Sequence, residues 1–369
     1  MESAIPQGRL AEIVREARSR TGVPAVAAGL LTAGDAEYAT DGPVDIRTQF
    51  RIASITKWFT ATLAASQPGF DAEQRALLSH TAGLRPESPE PLPEECRGLW
   101  SYSNAGYWAA GEACAAAAGA SFSETMREKL LEPLGLEETS FDEPADAAPG
   151  HLQEGETGHR PAGTLDYPEG RRASGGLWST VGDLLRFAEH QFEYGETLRQ
   201  PHASALGAEY CLGCWRRELA GGRVAYDHEG SVGGFQSLLL LVPAEGLALV
   251  VLTNSWRGSG LIRRVVRGLG LVPASDKLSL GSTGPIEPAR YALGESEALV
   301  EAHGDTFRVS EAETDPLSGG RIVRPSFPVD ALGGAVYGFA GGLLMSHRID
   351  FPRPGVARIG WVAMPRADA

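Results

Sequence analysis

The stretch from Leu238 to Leu252 constrains this chain more than any other. It is almost wholly apolar, yet Pro243, Glu245 and Gly246 interrupt it midway. A membrane-spanning helix needs about 20 consecutive apolar residues, so the break excludes one here and makes the stretch a buried β-hairpin. A second hairpin is expected upstream, where Val23-Pro24 opens an apolar run to Leu31, Ala33-Gly34-Asp35 turns it, and a strand follows near Tyr38. Helices are expected at about Gly8 to Arg20, Ser54 to Ala65, Gly106 to Ala118, Ser121 to Leu131, Val181 to Phe192 and Gly260 to Leu269. Thr180, with Asp183 three residues on, gives the Val181 helix a capping-box-like start. The fold class that results is α+β, an antiparallel sheet flanked by helices.

With 369 residues the chain exceeds one average domain. Past Val272 its composition changes, and a Ser/Gly/Pro-rich segment, 273–289, reads as a linker. Beyond it, short alternating stretches with turn signals at Gly304-Asp305 and Gly341-Gly342 read as a small all-β module, 290–369, after a large domain, 1–272. Residues 85–98 and 142–172, rich in Pro, Gly and acids, read as loops, and 67–74 as short and polar.

The balance of 33 Lys+Arg against 47 Asp+Glu gives −14, which disfavours nucleic acid or an anionic membrane surface as partner. The first twenty residues carry mixed charge with no apolar signal-peptide core, so a cytoplasmic location is expected. Cys96, Cys114, Cys211 and Cys214 are then expected as free thiols. Cys211-Leu-Gly-Cys214 lacks a second CxxC or a histidine at zinc-finger spacing and reads as two residues of a half-buried strand, with no metal.

The chemistry lies in three short motifs. In Ser54-Ile-Thr-Lys57 the first and last residues share a helix face, so hydroxyl and amine can meet. A serine hydroxyl is a poor nucleophile unless a base takes its proton, and a lysine is such a base only when burial and a helix N-terminus disfavour its ammonium form. Taken alone, SxxK turns up by chance about once in a chain this long and marks nothing but a surface helix. Tyr102-Ser-Asn104 and His228-Glu-Gly230 are individually no stronger: the tyrosine reads as core, the asparagine as a helix cap, the histidine as a satisfied strand residue.

Their order, and the text around them, carry more. Phe50-Arg51-Ile52-Ala53, Leu77-Leu78-Ser79-His80-Thr81-Ala82-Gly83-Leu84, Glu132-Pro133-Leu134-Gly135-Leu136, Gly175-Gly176-Leu177-Trp178-Ser179-Thr180 and Val250-Val251-Leu252-Thr253-Asn254 together resemble the β-lactamase-related serine hydrolases, over about residues 8 to 270. That family includes class C β-lactamases, DD-peptidases, D-aminopeptidases, esterases and transacylases. The resemblance implies a serine β-lactamase-like fold. It implies Ser54 as nucleophile, with Lys57 and Tyr102 as the shared base that activates it and then protonates the leaving group. Asn104 would hold Lys57 and the substrate carbonyl side, and the backbone N–H groups of Ser54 and Ser231 would form the oxyanion hole. His228 would line the third wall and tune Tyr102 electrostatically, Glu229, Gly230 and Ser231 would support substrate binding beside it, His80 would be structural, and no metal or organic cofactor is implied.

Three departures from the family pattern bear on substrate. The third motif is His228-Glu229-Gly230, where β-lactamases of the family carry Lys-Thr-Gly and meet a substrate carboxylate. A neutral His228, and Glu229 if it points inward, disfavour penicillins and D-Ala-D-Ala termini. Ser101 follows Lys57 by only 44 positions, which implies a reduced helical lobe and a more open cleft. The absent signal peptide separates the chain from cell-wall enzymes. The expected activity is an acyl-enzyme esterase or amidase on a neutral or amine-bearing small-molecule acyl donor, with water as acceptor. The alternatives are a biosynthetic transacylase with an amine acceptor, a β-lactamase or DD-peptidase, or a binding protein that kept the fold. Deleting 273–369 is expected to alter substrate range and leave Ser54 acylation intact. The sequence does not give the oligomeric state.

Overall fold

The computed structural model describes residues 8–154, 158–163, 165–272, 288–294, 296–303, 306–314, 321–333, 336–339, 348–359 and 361–367. They fall into two compact units: Met1–Asp71, Tyr107–Gln200 and Cys211–Ala274 form the first, and Ala72–Gly106, Pro201–Tyr210 and Ser275–Ala369 the second.

The first unit is built on antiparallel strands β1 (Val26–Thr32), β2 (Asp35–Asp41), β3 (Trp215–Leu219), β4 (Arg223–Val232), β5 (Phe235–Val242) and β6 (Leu247–Thr253), in the order β2-β1-β6-β5-β4-β3. The interrupted apolar stretch is the β5–β6 hairpin, with Leu239 opposite Val250 and Leu240 opposite Leu249. Every residue of β6 is buried, so this strand is covered on both faces, which is why its sequence runs apolar without alternating. Pro243–Glu245 form one 3-10 turn between the two strands. The β1–β2 hairpin turns on Ala33 and Gly34, both at positive φ (51° and 93°), the type I′ geometry that a two-residue hairpin favours.

Helices α1 (Leu10–Thr21) and α6 (Gly258–Gly268) pack together where Gly268 meets Ile13. Helix α5 (Val181–Tyr194) sets Val181 and Leu185 against Gly29 of β1. The Thr180 hydroxyl caps α5 by accepting the Asp183 N–H at 3.2 Å. The reciprocal half of the expected capping box is replaced: the Asp183 carboxylate instead accepts from Glu138 N–H and Thr139 Oγ. Helix α2 (Thr56–Ser66) starts after a 3-10 turn at Ala53–Ile55, and α3 (Ala72–Leu78) occupies sequence that reads as polar connection at its start. Helix α4 (Asn104–Ala118) begins at the last residue of the tyrosine motif. The expected Ser121–Leu131 helix is a short α-helix, Phe122–Met126, widening into a π turn over Arg127–Leu131. Among the described residues no helix is long and apolar enough to cross a membrane.

In the second unit, β7 (Ala289–Leu293), β8 (Ser296–His303), β9 (Thr306–Thr314), β10 (Arg321–Gly333), β11 (Val336–Phe339), β12 (Arg348–Arg353), β13 (Val356–Ile359) and β14 (Val362–Pro365) pair antiparallel in chain order. Tyr291 also bridges Arg366, and Ala367 N–H donates to Arg290 O at 2.8 Å. Among the described residues the module is therefore an eight-stranded up-and-down barrel whose first and last strands meet. Its apolar core includes Tyr291, Val300, Phe351 and Met364, and also Leu92 and Cys96 from far upstream. A buried bidentate pair, Arg358 to Asp350 at 2.6 and 2.5 Å, lies beside them, and Asp350 also accepts the Leu206 N–H.

The compact units thus depart from a division in chain order at 272 and 290, because 72–106 and 201–210 pack with the barrel. The expected linker 273–289 lies outside the described residues except for its last two, as do the turns at Gly304-Asp305 and Gly341-Gly342.

Candidate active site

Ser54 is placed by the chain before it. Phe50 and Arg51 pair with Ser179 and Trp178, and Ile52 N–H donates to Leu177 O at 3.0 Å. The Arg51 guanidinium lies over the Trp178 ring, 4.5 Å from its centroid. Ala53 then adopts φ 47°, a conformation that costs a non-glycine residue about 1–3 kcal/mol and is held only where the surroundings impose it. From Phe50 to Ala64 every residue is buried except Ser54, so the hydroxyl is the one group this segment presents.

Lys57, fully buried, places Nζ 3.2 Å from Ser54 Oγ and donates to Ser174 O at 2.5 Å. The neighbouring threonines of α2 bind the same stretch: Thr56 Oγ accepts from Leu177 N–H at 3.2 Å, and Thr60 Oγ donates to Ala173 O at 2.7 Å. Trp108 Nε1 ties down the Ser174 side chain at 2.9 Å. An amine held here against one carbonyl, when neutral, can take the serine proton. Sequence reading missed Ser174 and Trp108, since a carbonyl acting through the backbone leaves no residue signature. It missed Tyr167 as well, whose hydroxyl closes on Gly175 beside Ala53. The Gly175-Gly176 pair was the available sign, because a Cβ at Gly175 would stand 2.5 Å from that oxygen.

Strand β4 supplies the third motif. His228 is fully buried with Nδ1 2.6 Å from Glu229 O. Burial, and then the charge of Lys57, push its imidazole down to about 3, so it is neutral at physiological pH. Successive strand residues face opposite ways, and Glu229 bears on Arg263 of α6. The charge that bears on His228 is that of Lys57, and the charge that Glu229 meets is that of Arg263. Gly230 passes so close to the nucleophile's turn that a Cβ would lie 2.2 Å from Ile52 O and 3.1 Å from Ala53 Cβ. Ser231 follows, more exposed, its Oγ accepting from Gln236 Nε2 at 2.6 Å.

The His228 pKa makes a prediction about acid stability. Its folded value lies below the unfolded 6.5, so between about pH 6.5 and 3 the unfolded chain binds a proton that the folded chain does not. Stability is therefore lost as pH drops through that window, by about 2 kcal/mol from pH 6.5 to 5. His228→Gln should flatten the dependence of Tm on pH between 7 and 5 by a matching amount. An unchanged slope in the variant would refute the assignment.

Tyr102 and Asn104 belong to the second unit and are held there by their own partners. Tyr102 is buried, its N–H donating to Trp361 O at 2.9 Å and its ring 4.3 Å from that of His80. His80 Nδ1 accepts the Ser103 N–H at 3.1 Å, a structural role for this imidazole. Asn104 Nδ2 donates to Glu87 of the Pro/Glu-rich loop. The structure thus brings Ser54, Lys57, His228 and Gly230 together in the first unit, and Tyr102, Asn104 and His80 in the second.

The four cysteines are free and buried. Cys211 and Cys214 are not the strand residues expected: Cys211 N–H donates to Cys214 O at 2.8 Å, closing a turn with Gly213 at φ 80°. Gly213 is required there, because a Cβ would stand 2.9 Å from Lys57 O. Among the described residues no group of three or more His, Cys, Asp or Glu side chains could hold a metal ion.

Comparison with known proteins agrees with this geometry. The Beta-lactamase family model matches residues 10–267. Penicillin-binding protein 4 of Amycolatopsis lactamdurans is 26% identical over 314 residues, 64% of this chain and 82% of that protein. The crystal structure of SurE superposes with TM-score 0.72 at 21% identity, covering 97% of this chain and 98% of that one. A class C beta-lactamase superposes with TM-score 0.60 at 17% identity, covering 73% of this chain and 97% of its own. At these identities the two structures share the fold.

Proposed function

Because the chain belongs to the Beta-lactamase family of serine hydrolases, we propose that it forms an acyl-enzyme on Ser54 from a neutral or amine-bearing ester or amide. The observation that carries this reading is Lys57 Nζ at 3.2 Å from the one unburied side chain of its segment, Ser54. Ser54 Oγ attacks the acyl carbonyl carbon while its proton passes to Lys57 and Tyr102. The same proton goes to the departing alcohol or amine as the carbonyl–heteroatom bond breaks. Water, activated in turn by that base, cleaves the serine ester and returns the proton. The backbone N–H groups of Ser54 and Ser231 serve as the oxyanion hole, and Asn104 steadies the acyl side.

Substrate charge follows from His228. A neutral imidazole, where β-lactamases place a lysine, offers no cation to a carboxylate. Penicillins and D-Ala-D-Ala peptides are therefore disfavoured, whatever the relative named for penicillin binding does.

The test is to incubate the protein with neutral aryl esters and with a penicillin, with and without an added amine, and to take intact masses and products. Burst release of the aryl alcohol with a matching mass increase, and acylation by neutral esters at least about tenfold faster than by the penicillin, is expected. Free acid as the product in the presence of amine supports the hydrolase, whereas amide in excess of acid would make it an acyltransferase. No adduct with the esters or with a fluorophosphonate would overturn the proposal.

A further inference from the structure

The C-terminal barrel carries a residue that the tyrosine motif depends on. Within the second unit the chain from Leu92 to Ser103 is sewn to the end of the barrel. Leu92 and Cys96 lie in the barrel's apolar core. Arg353 donates to the carbonyls of Glu95 and Arg97 at 3.3 and 3.2 Å. Cys96 Sγ contacts Ala363 O at 3.6 Å, and Ala363 N–H donates to Ser101 Oγ at 3.1 Å. One residue on, Tyr102 N–H donates to Trp361 O, and the Tyr102 and Trp361 rings meet at 4.9 Å and 41°. The His80 ring also packs on the phenol ring, with centroids 4.3 Å apart. The tyrosine ring thus packs against two others, one of them supplied by the barrel.

Trp361 sits at φ 83°, in the left-handed region that a bulky residue avoids. Glycine would fit this backbone at no steric cost, so the indole occupies a position that local conformation disfavours. That combination of backbone cost and aromatic contact is what a device for orienting a neighbour looks like.

We propose that Trp361 is a positioning residue for Tyr102, and that the barrel is therefore part of the catalytic apparatus. The inference rests on the reading of Tyr102 as proton carrier. It also revises the expectation that residues 273–369 can be deleted with Ser54 acylation intact, since deletion would strip the tyrosine segment of its core contacts and of Trp361.

Trp361→Gly separates the ring from the backbone, because glycine tolerates the positive φ and leaves the carbonyl in place for the Tyr102 N–H. Displacing a catalytic group by about 1 Å costs roughly 10²-fold in rate. In Trp361→Gly the acylation rate at saturating ester should fall by about that factor, with KM within about threefold of wild type. Trp361→Phe, which restores a ring, should recover most of the rate. Full-length protein carrying ring-labelled tyrosine supplies a readout independent of the Ser54 chemistry. The Tyr102 resonance, assigned with Tyr102→Phe, should shift in Trp361→Gly and return toward its wild-type position in Trp361→Phe. An unmoved resonance, or a wild-type rate in the glycine variant, would overturn the proposal. A wild-type protein that is never acylated while the resonance moves as stated would refute the proton-carrier reading and leave the positioning intact.

Discussion

Ser54→Ala should yield no acyl adduct with any ester or fluorophosphonate, and turnover should drop by a factor on the order of 10⁵–10⁶. The size follows from the role proposed for the residue, to supply the oxygen that forms the covalent bond, with no second hydroxyl presented by the segment from Phe50 to Ala64. Stability should hardly move. The substitution removes the 3.2 Å contact to Lys57 but leaves the Lys57 bond to Ser174 O, a net change within about 1 kcal/mol. Intact mass, burst amplitude and Tm measured together make the check. A variant that still gains acyl mass at the wild-type rate would place the nucleophile elsewhere.

Gly230→Ala should be nearly as damaging to catalysis by a different route. The added methyl would stand 2.2 Å from Ile52 O and 2.2 Å from Ser237 Oγ. These two groups are already bound to each other at 2.9 Å, so neither can step aside freely. Relief must come from parting β4 and the turn at Ala53, which disturbs the oxyanion hole proposed for the Ser54 and Ser231 N–H groups. Losing one oxyanion-hole donor costs about 10²–10³ in kcat, and overpacking a filled site costs about 1–3 kcal/mol in stability. Comparing acylation rate with Tm separates the two: the rate should collapse while most of the protein stays folded. Wild-type acylation in a folded Gly230→Ala protein would mean that the hole lies elsewhere.

What the sequence could disclose was set by how locally each feature is encoded. The β5–β6 hairpin was readable because a covered strand must be apolar throughout and its turn must break that run. Ser54 and Lys57 were readable because three positions on a helix fix a distance. Features that depend on backbone atoms or on distant chain were not. Ser174 acts through a carbonyl that any residue would supply. The charge that Glu229 meets, Arg263, comes from a helix well along the chain and leaves no local signature. Asp183 was assigned to its own helix cap, whereas burial sends its carboxylate to Glu138 and Thr139, over forty residues upstream. Barrel closure rests on Arg366 and Ala367 meeting Tyr291 and Arg290, which no local pattern announces.

The stitching of Ser101 to Ala363 spans 262 residues of chain. At a synthesis rate of about 5–20 residues per second, the tyrosine segment leaves the ribosome roughly 13–50 s before the strand that completes its packing. Through that interval Leu92 and Cys96 have none of their barrel neighbours to cover them, whereas Ser54, Lys57, Ser174 and His228 can assemble once β6 has emerged. The nascent chain thus has the surroundings of Ser54 complete before those of Tyr102, whose packing waits for the last strands of the barrel.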